Sequence, residues 1–296
     1  MKSTKFPNPQ WYPFASHFFP TPDGHMHYID TGNGEPIVFV HGTPAWSFLY
    51  RSFIQKFSAI YRCIAPDHLG FGLSDKPEHF QGAAEDHAKR FESFMLHLDL
   101  KNITLVVHDF GGPIGLPFAT QHPDRIKRIV LFNTFLCETA HLPAVQKVDK
   151  ILNSTIGKFL YLRFNFSPRV LLRQAFYQKN KLSKEVHLHY TTPFPGKKDR
   201  MSLLLLGKSL AGSSNWFGKE AQNLHFLANK PICIIWGMQD KFITPEFLAQ
   251  WIHHFPYAKV HKLDCGHFIQ EEEPEAAQKA MEMFFADKTM SFVPLT

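Results

Sequence analysis

Apolar runs of β type recur along the chain from residue 25 onward, and amphipathic stretches of helical period fall between them. Segments 37–40, 103–107 and 126–132 are rich in Ile, Val, Leu and Phe, and with the shorter signals at 25–29 and 62–65 they read as strands. Between them, 83–98 carries apolar residues at helical spacing and 113–120 reads as a helix. Ser47 is placed to cap a helix running through Phe53 and Phe57. Gly32-Asn33-Gly34, between the first two strands, is a hairpin signal. Strand signals resume at 231–236 and 259–262. Thr244-Pro245 opens a helix with a cap and an N1 proline, and 274–285 is a closing amphipathic helix. This alternation predicts an α/β fold, with a mostly parallel central sheet flanked by helices.

The stretch 136–216 breaks the pattern. It is helical, irregular and rich in Phe, Leu and Lys, with no convincing buried strand. The chain therefore divides into a discontinuous core, 1–135 and 217–296, and an inserted helical cap, 136–216. Tandem domains are excluded because neither half completes a sheet alone.

Composition narrows the function classes. Hydrophobic residues make up 44% and charged residues 20% of 296, the balance of a globular enzyme and not of a disordered chain. Thirty phenylalanines against eight tyrosines point to an apolar interior and an apolar pocket. The net charge of +6 has no basic, aromatic-interleaved motif behind it, so no nucleic-acid partner is expected. Cys63, Cys137, Cys233 and Cys265 form no CxxC pair, and Cys63 and Cys233, inside apolar strand-like runs, read as reduced buried thiols. The amino terminus lacks the apolar region of a signal peptide, and no run approaches the ~20 apolar residues of a membrane span. The expectation is a soluble cytoplasmic protein, monomer or homodimer, without a membrane partner, metal or cofactor, acting on a small apolar molecule and water.

The chemistry concentrates at Leu105-Val106-Val107-His108-Asp109-Phe110-Gly111-Gly112-Pro113. An apolar strand ends abruptly in a polar residue, two glycines follow, and a helix begins: a strand, sharp turn and helix that push one side chain, here Asp109, into a site. Asp240 follows the apolar strand at 231–236, and His267 follows Asp264-Cys265-Gly266. Each lies just past a strand, at the carboxyl edge where open α/β sheets place their sites. Nucleophile, acid and histidine thus occur in the chain order of a hydrolytic triad. His41-Gly42-Thr43-Pro44 directly follows the run 37–40, so the backbone N–H groups of Thr43 and Phe110 are placed to form an oxyanion hole. His41 and His108 read as packing residues, since the side chain of His108 should point away from that of Asp109 in an extended segment.

These segments resemble one branch of the α/β-hydrolases. His41-Gly42-Thr43-Pro44-Ala45-Trp46-Ser47-Phe48, Pro66-Asp67-His68-Leu69-Gly70-Phe71-Gly72-Leu73-Ser74-Asp75, His108-Asp109-Phe110-Gly111-Gly112 and Gly266-His267 look like the haloalkane dehalogenases and epoxide hydrolases. Around 61–77 the chain is also similar to the β-lactone decarboxylases of olefin biosynthesis. Thr192-Pro193-Phe194-Pro195 in the cap looks more like dehalogenases. The resemblance implies an α/β-hydrolase fold with an aspartate nucleophile. A carboxylate, ionised near pH 7 when exposed, attacks an sp³ carbon bearing a leaving group and leaves an ester. Histidine-activated water then cleaves that ester.

The chain departs from the dehalogenase pattern at the leaving-group receiver. Those enzymes usually offer a tryptophan after the nucleophile, with an asparagine after His-Gly or a cap tryptophan; here Phe110 and Thr43 stand at the first two places. Trp46 and Trp216 are the candidate substitutes, and so the candidate substrate-binding residues. The epoxide reading needs acids such as Tyr161, Tyr177 and Tyr190. Asn133 occupies a point where some dehalogenases carry the acid, which favours Asp240 for that part. The reading reached is a dehalogenase-like hydrolase. Epoxide hydrolase and β-lactone decarboxylase are the alternatives, with a catalytically silent ligand-binding fold as the alternative outside enzymes.

Overall fold

A computed structural model describes residues 6–287; Met1–Lys5, on which part of the leader-peptide reading falls, and 288–296 lie outside it. Eight strands form one sheet: β1 (His17–Thr21), β2 (Gly24–Thr31), β3 (Pro36–Val40), β4 (Arg62–Pro66), β5 (Ile103–Asp109), β6 (Ile126–Thr134), β7 (Ile232–Gly237) and β8 (Lys259–Leu263). Their order is β1-β2-β4-β3-β5-β6-β7-β8, with antiparallel pairing at β1–β2 and β2–β4 and parallel pairing elsewhere. This is the α/β-hydrolase arrangement, a mostly parallel sheet with helices on its faces.

Strands β3 to β7 are buried almost throughout because both faces are covered, whereas β1, β2 and β8 are more polar and partly exposed. Val38 and Val40 of β3, with Leu105 and Val107 of β5, enter the core on one face; Ile37, Phe39 and Val106 enter the core on the other. Helices α1 (Arg51–Phe57), α2 (Ala84–Leu98) and α3 (Gly111–Gln121) join the first six strands. Between β6 and β7 the chain is helical: α4 (Pro143–Asn153), α5 (Thr155–Phe164), α6 (Leu172–Ala175), α7 (Lys184–Thr191), α8 (Met201–Gly212) and α9 (Ser214–Gln222). Then α10 (Pro245–His254) follows β7, and α11 (Ile269–Glu272) and α12 (Pro274–Ala286) follow β8.

Two local expectations fail for tertiary reasons. Gly32 and Gly34 have positive φ, 82° and 113°, but they do not close a hairpin. Strand β4 inserts between β2 and β3, and the hairpin is instead β1–β2, with Thr21 opposite Gly24. Ser47 does not cap a helix: its hydroxyl meets the Tyr12 hydroxyl at 2.5 Å and its N–H donates to Asp67. A short 3-10 turn, Ser47–Tyr50, precedes α1. Among the described residues, no helix is long and apolar enough to cross a membrane.

Candidate active site

The turn after β5 holds Asp109 at φ 54°, a left-handed conformation that an aspartate tolerates at a cost of about 1–2 kcal/mol. The surroundings over-determine it. The Thr134 hydroxyl donates to the Asp109 carbonyl at 2.6 Å. A Cβ at Gly111 would lie 2.1 Å from the Val40 carbonyl oxygen, so only glycine lets α3 start this close to β3. Gly42 has the same role toward the side chain: a Cβ there would lie 2.1 Å from Asp109 Oδ1.

The carboxylate has two differently placed oxygens. Oδ1 accepts the Thr43 N–H at 2.7 Å, and the Phe110 N–H also donates to this carboxylate. Oδ2 stands 3.6 Å from His267 Nε2, beyond a good hydrogen bond. Asp109 is buried, not exposed as the sequence reading assumed. Burial pushes its carboxyl above the usual 3.8, while His267 and the two N–H donors hold it back. The anion is therefore kept by aimed donors instead of by solvent.

His267, between β8 and α11, is gripped from several sides. Its Nδ1 meets Asp240 Oδ2 at 2.7 Å, its N–H donates to the Ala175 carbonyl, and its own carbonyl lies 2.9 Å from His108 Nε2. Burial pulls the imidazole down, but Asp240, then Asp109 and Glu272, outweigh it and hold the ring above the usual 6.5. Asp240 is fixed in turn: Oδ1 accepts from the Phe242 and Ile243 N–H groups, and Oδ2 accepts from Asn133 Nδ2 at 2.9 Å.

Two further positions support this set: Asn133, which the sequence marked only as a place where the acid is missing, and Glu272, which it did not mark at all. Asn133 also accepts the Gly237 N–H at 2.7 Å, so it ties β6 to the turn bearing Asp240. Glu272 is fully buried and accepts three backbone N–H groups, from Gly266, Tyr177 and Gln178, at 3.1, 3.0 and 2.7 Å. Gly266 precedes His267; the other two belong to the helical insertion. No sequence signal marks the supporting role of either residue, because their partners are distant in the chain. His41 packs as expected: its Nε2 accepts the His68 N–H and its Nδ1 donates to the Gly42 carbonyl.

Asp109 and His267 open onto a cavity of about 240 Å³, roofed by the insertion. Val145, Val148, Leu152, Leu171, Leu172, Phe135, Phe247 and Phe268 make most of its wall. Its polar lining is sparse: Thr43, Thr139, Tyr161, Ser167 and Lys241. The Thr43 hydroxyl is buried without a hydrogen-bond partner.

Trp46 and Trp216 do not line it, which corrects their assignment as substrate-binding residues. The Trp46 N–H is already donated to the His189 carbonyl at 2.9 Å, inside an aromatic stack with Phe48. Trp216 packs against the core and Phe217. It is Phe217, with Phe135, that meets Phe110. Of the three tyrosines considered, only Tyr161 reaches the cavity, and burial raises its phenol to about 12. Tyr190 is committed to Glu271 at 2.5 Å, and Tyr177 is half exposed.

A carboxylate with one oxygen in an N–H cradle and the other beside a carboxylate-oriented imidazole defines a class. The α/β-hydrolase fold family matches residues 35–274, and the chain belongs to it. Within that family it is a dehalogenase-like hydrolase. A haloalkane dehalogenase of Mycobacterium marinum is 44% identical over 295 residues, covering 93% of this chain and 95% of that protein. A cis-3-alkyl-4-alkyloxetan-2-one decarboxylase of Shewanella oneidensis is 35% identical over 289 residues, covering 93% and 89%. The solved haloalkane dehalogenase of Agrobacterium tumefaciens C58 superposes with a TM-score of 0.83 at 24% identity, over 94% of this chain and 97% of that one.

Proposed function

We propose that the protein cleaves a carbon–halogen or similar carbon–leaving-group bond of a small apolar molecule through an aspartyl ester. The observation that carries this reading is the division of labour within one carboxylate. Asp109 Oδ1 is held by N–H groups while Oδ2 faces an apolar cavity beside His267. Oδ2 attacks the substrate carbon in line, and the leaving group departs with the bonding pair. The ester carbonyl then keeps Oδ1 in the Thr43–Phe110 cradle. His267 Nε2 takes a proton from water, which attacks the ester carbon. The oxyanion forms where the two N–H groups already point. Collapse breaks the bond between the ester carbon and Oδ2 and releases an alcohol, protonated by the imidazolium; the carboxyl group left behind then gives up the remaining proton through His267 to solvent, which restores the carboxylate. Asp240 orients the ring and stabilises its charged form.

Among the described residues that line the cavity, none offers the leaving group a side-chain indole or amide N–H. The unpartnered Thr43 hydroxyl lines the cavity with the nucleophile, as does Phe110, whose ring carries a positive edge. That favours a second reading alongside the first. Donors such as Thr43, Tyr161 and Ser167 suit an oxygen leaving group that stays attached, as in opening a strained β-lactone. Epoxide opening is less well served, since only one of the considered tyrosines lines the cavity. The free cysteines, three of them buried, support a reducing, cytoplasmic setting.

The test is His267→Gln incubated with bromoalkanes, epoxides and β-lactones, followed by intact-protein mass spectrometry. Histidine acts mainly in the second step, so the variant should retain a covalent adduct of the substrate's carbon skeleton, absent in Asp109→Ala. Halide release by the unaltered enzyme supports the first reading, and olefin or diol release supports its competitors. Normal turnover by His267→Gln, with nothing trapped, refutes the scheme.

A further inference from the structure

The charge of this chain is unevenly divided. Residues 136–216 carry 13 Lys and Arg against four Asp and Glu, a net +9; the whole chain is +6, so the remainder is −3. The excess includes the outermost helices of the insertion. On α4 and α5, Lys147, Lys150, Lys158 and Arg163 are exposed, and among the described residues none of the four forms an ion pair.

Large apolar side chains lie among these cations. Val148 and Ile151, three apart on α4, share one side of that helix. Ile156 and Phe159 repeat the spacing on α5, and the ring of Phe164 lies 5.4 Å from that of Phe159. All five are between 36% and 73% exposed. The joint between the helices is tight: Ser154 caps α5, and a Cβ on Gly157 would lie 1.8 Å from the Ile151 carbonyl oxygen. The face is therefore held by a close-packed joint. It also borders the site. Val148 is exposed and lines the cavity as well, with Val145 and Leu152 of the same helix further in.

We propose that the outer face of α4 and α5 docks on an anionic phospholipid surface, so that the cavity mouth at Val148 lies against the lipid. Aliphatic and aromatic side chains flanked by lysines and arginines are the composition of helices that lie in a membrane interface. The charge selects this occupant over a second copy of the chain, since two caps of +9 repel face to face. The sequence reading expected no membrane partner because no segment spans; interfacial docking needs no span.

Docking is read without turnover, so it stands or falls separately from the reaction proposed above. The full chain is sedimented with vesicles of phosphatidylcholine alone and with vesicles containing about one-third phosphatidylglycerol. Binding is expected only to the anionic vesicles, with release at roughly 0.5 M salt, where screening shortens the reach of each charge. Each of Lys147→Gln, Lys150→Gln and Lys158→Gln should lower the partition coefficient about fivefold. The pair Ile156→Asp and Phe159→Asp should lower it at least about tenfold. These positions are exposed, so the melting temperature should hold, which separates lost docking from lost folding. No binding to anionic vesicles, equal binding to neutral ones, or undiminished binding by the aspartate pair overturns the proposal. So does a dimer in light scattering that the aspartate pair abolishes, which would assign the face to a second copy.

Discussion

Replacing Glu272 by glutamine tests whether the histidine loop is anchored by charge. The carboxylate accepts three backbone N–H groups, two on Oε2 and one on Oε1. An amide in the same place keeps an oxygen for Tyr177 and Gln178 but turns an NH₂ toward the Gly266 N–H. Leaving that buried N–H unpaired costs roughly 1–3 kcal/mol, and the two surviving bonds lose their ionic assistance. The expected destabilisation is about 3 kcal/mol, read from the midpoint of urea unfolding with an unchanged slope. The second readout is electrostatic. Glu272 is one of the negative charges that raise His267, so its removal should move the acid limb of the pH–rate profile to lower pH. A purely packing role would lower stability and leave the limb in place. Stability within about 0.5 kcal/mol of the parent, together with an unmoved limb, refutes the argument.

Three further outcomes follow from the same geometry. Thr43→Val keeps the backbone N–H and deletes the unpartnered hydroxyl. It should raise the melting temperature slightly while lowering leaving-group release about tenfold, measured as kcat/KM. Asn133→Leu strips partners from Asp240 Oδ2 and from the Gly237 N–H. It should destabilise by about 3 kcal/mol and lower kcat, with ester accumulating in acid-quenched samples. In the unaltered enzyme, His267 must be neutral to accept a proton, and it is held above 6.5. Turnover should therefore fall as pH drops through a value above 6.5. A protonated His267 favours ionised Asp109, so ester still forms below that limb and should be visible by mass spectrometry.

Much of the core was legible because buried parallel strands leave near-continuous apolar runs. Strands β3, β5, β6 and β7 are where Ile, Val, Leu and Phe cluster; Asp109 ends β5, and Asp240 and His267 follow β7 and β8. Strand β1 was missed because His17–Thr21 has Phe18 exposed, Phe19 buried and a proline at the edge, which is no alternation a short window resolves. The hairpin error has a related origin: nothing near Gly32 announces that β4, some thirty residues on, takes the place beside β2. Trp46 shows the limit for sites. Its identity as a possible N–H donor is written in the sequence, but the acceptor that occupies it, the His189 carbonyl, belongs to a distant helix. The supporting roles of Asn133 and Glu272 stayed hidden for the same reason, since they act on groups that only the fold brings to them.

The anchoring of the His267 loop has a consequence for how such enzymes diversify. Ala175, Tyr177 and Gln178 are the stretch of the insertion that meets the histidine loop, through the His267 N–H and the Glu272 carboxylate. An exchange of caps between relatives is thus not a free modular swap. A chimera that replaces α4 and α5 alone alters the pocket wall and mouth while inheriting the native triad. One that cuts through 175–178 must present its own backbone N–H groups to Glu272 and its own carbonyl to the His267 N–H, or the histidine is held out of register. Recombination breakpoints that preserve activity are expected on the α4–α5 side of residue 175.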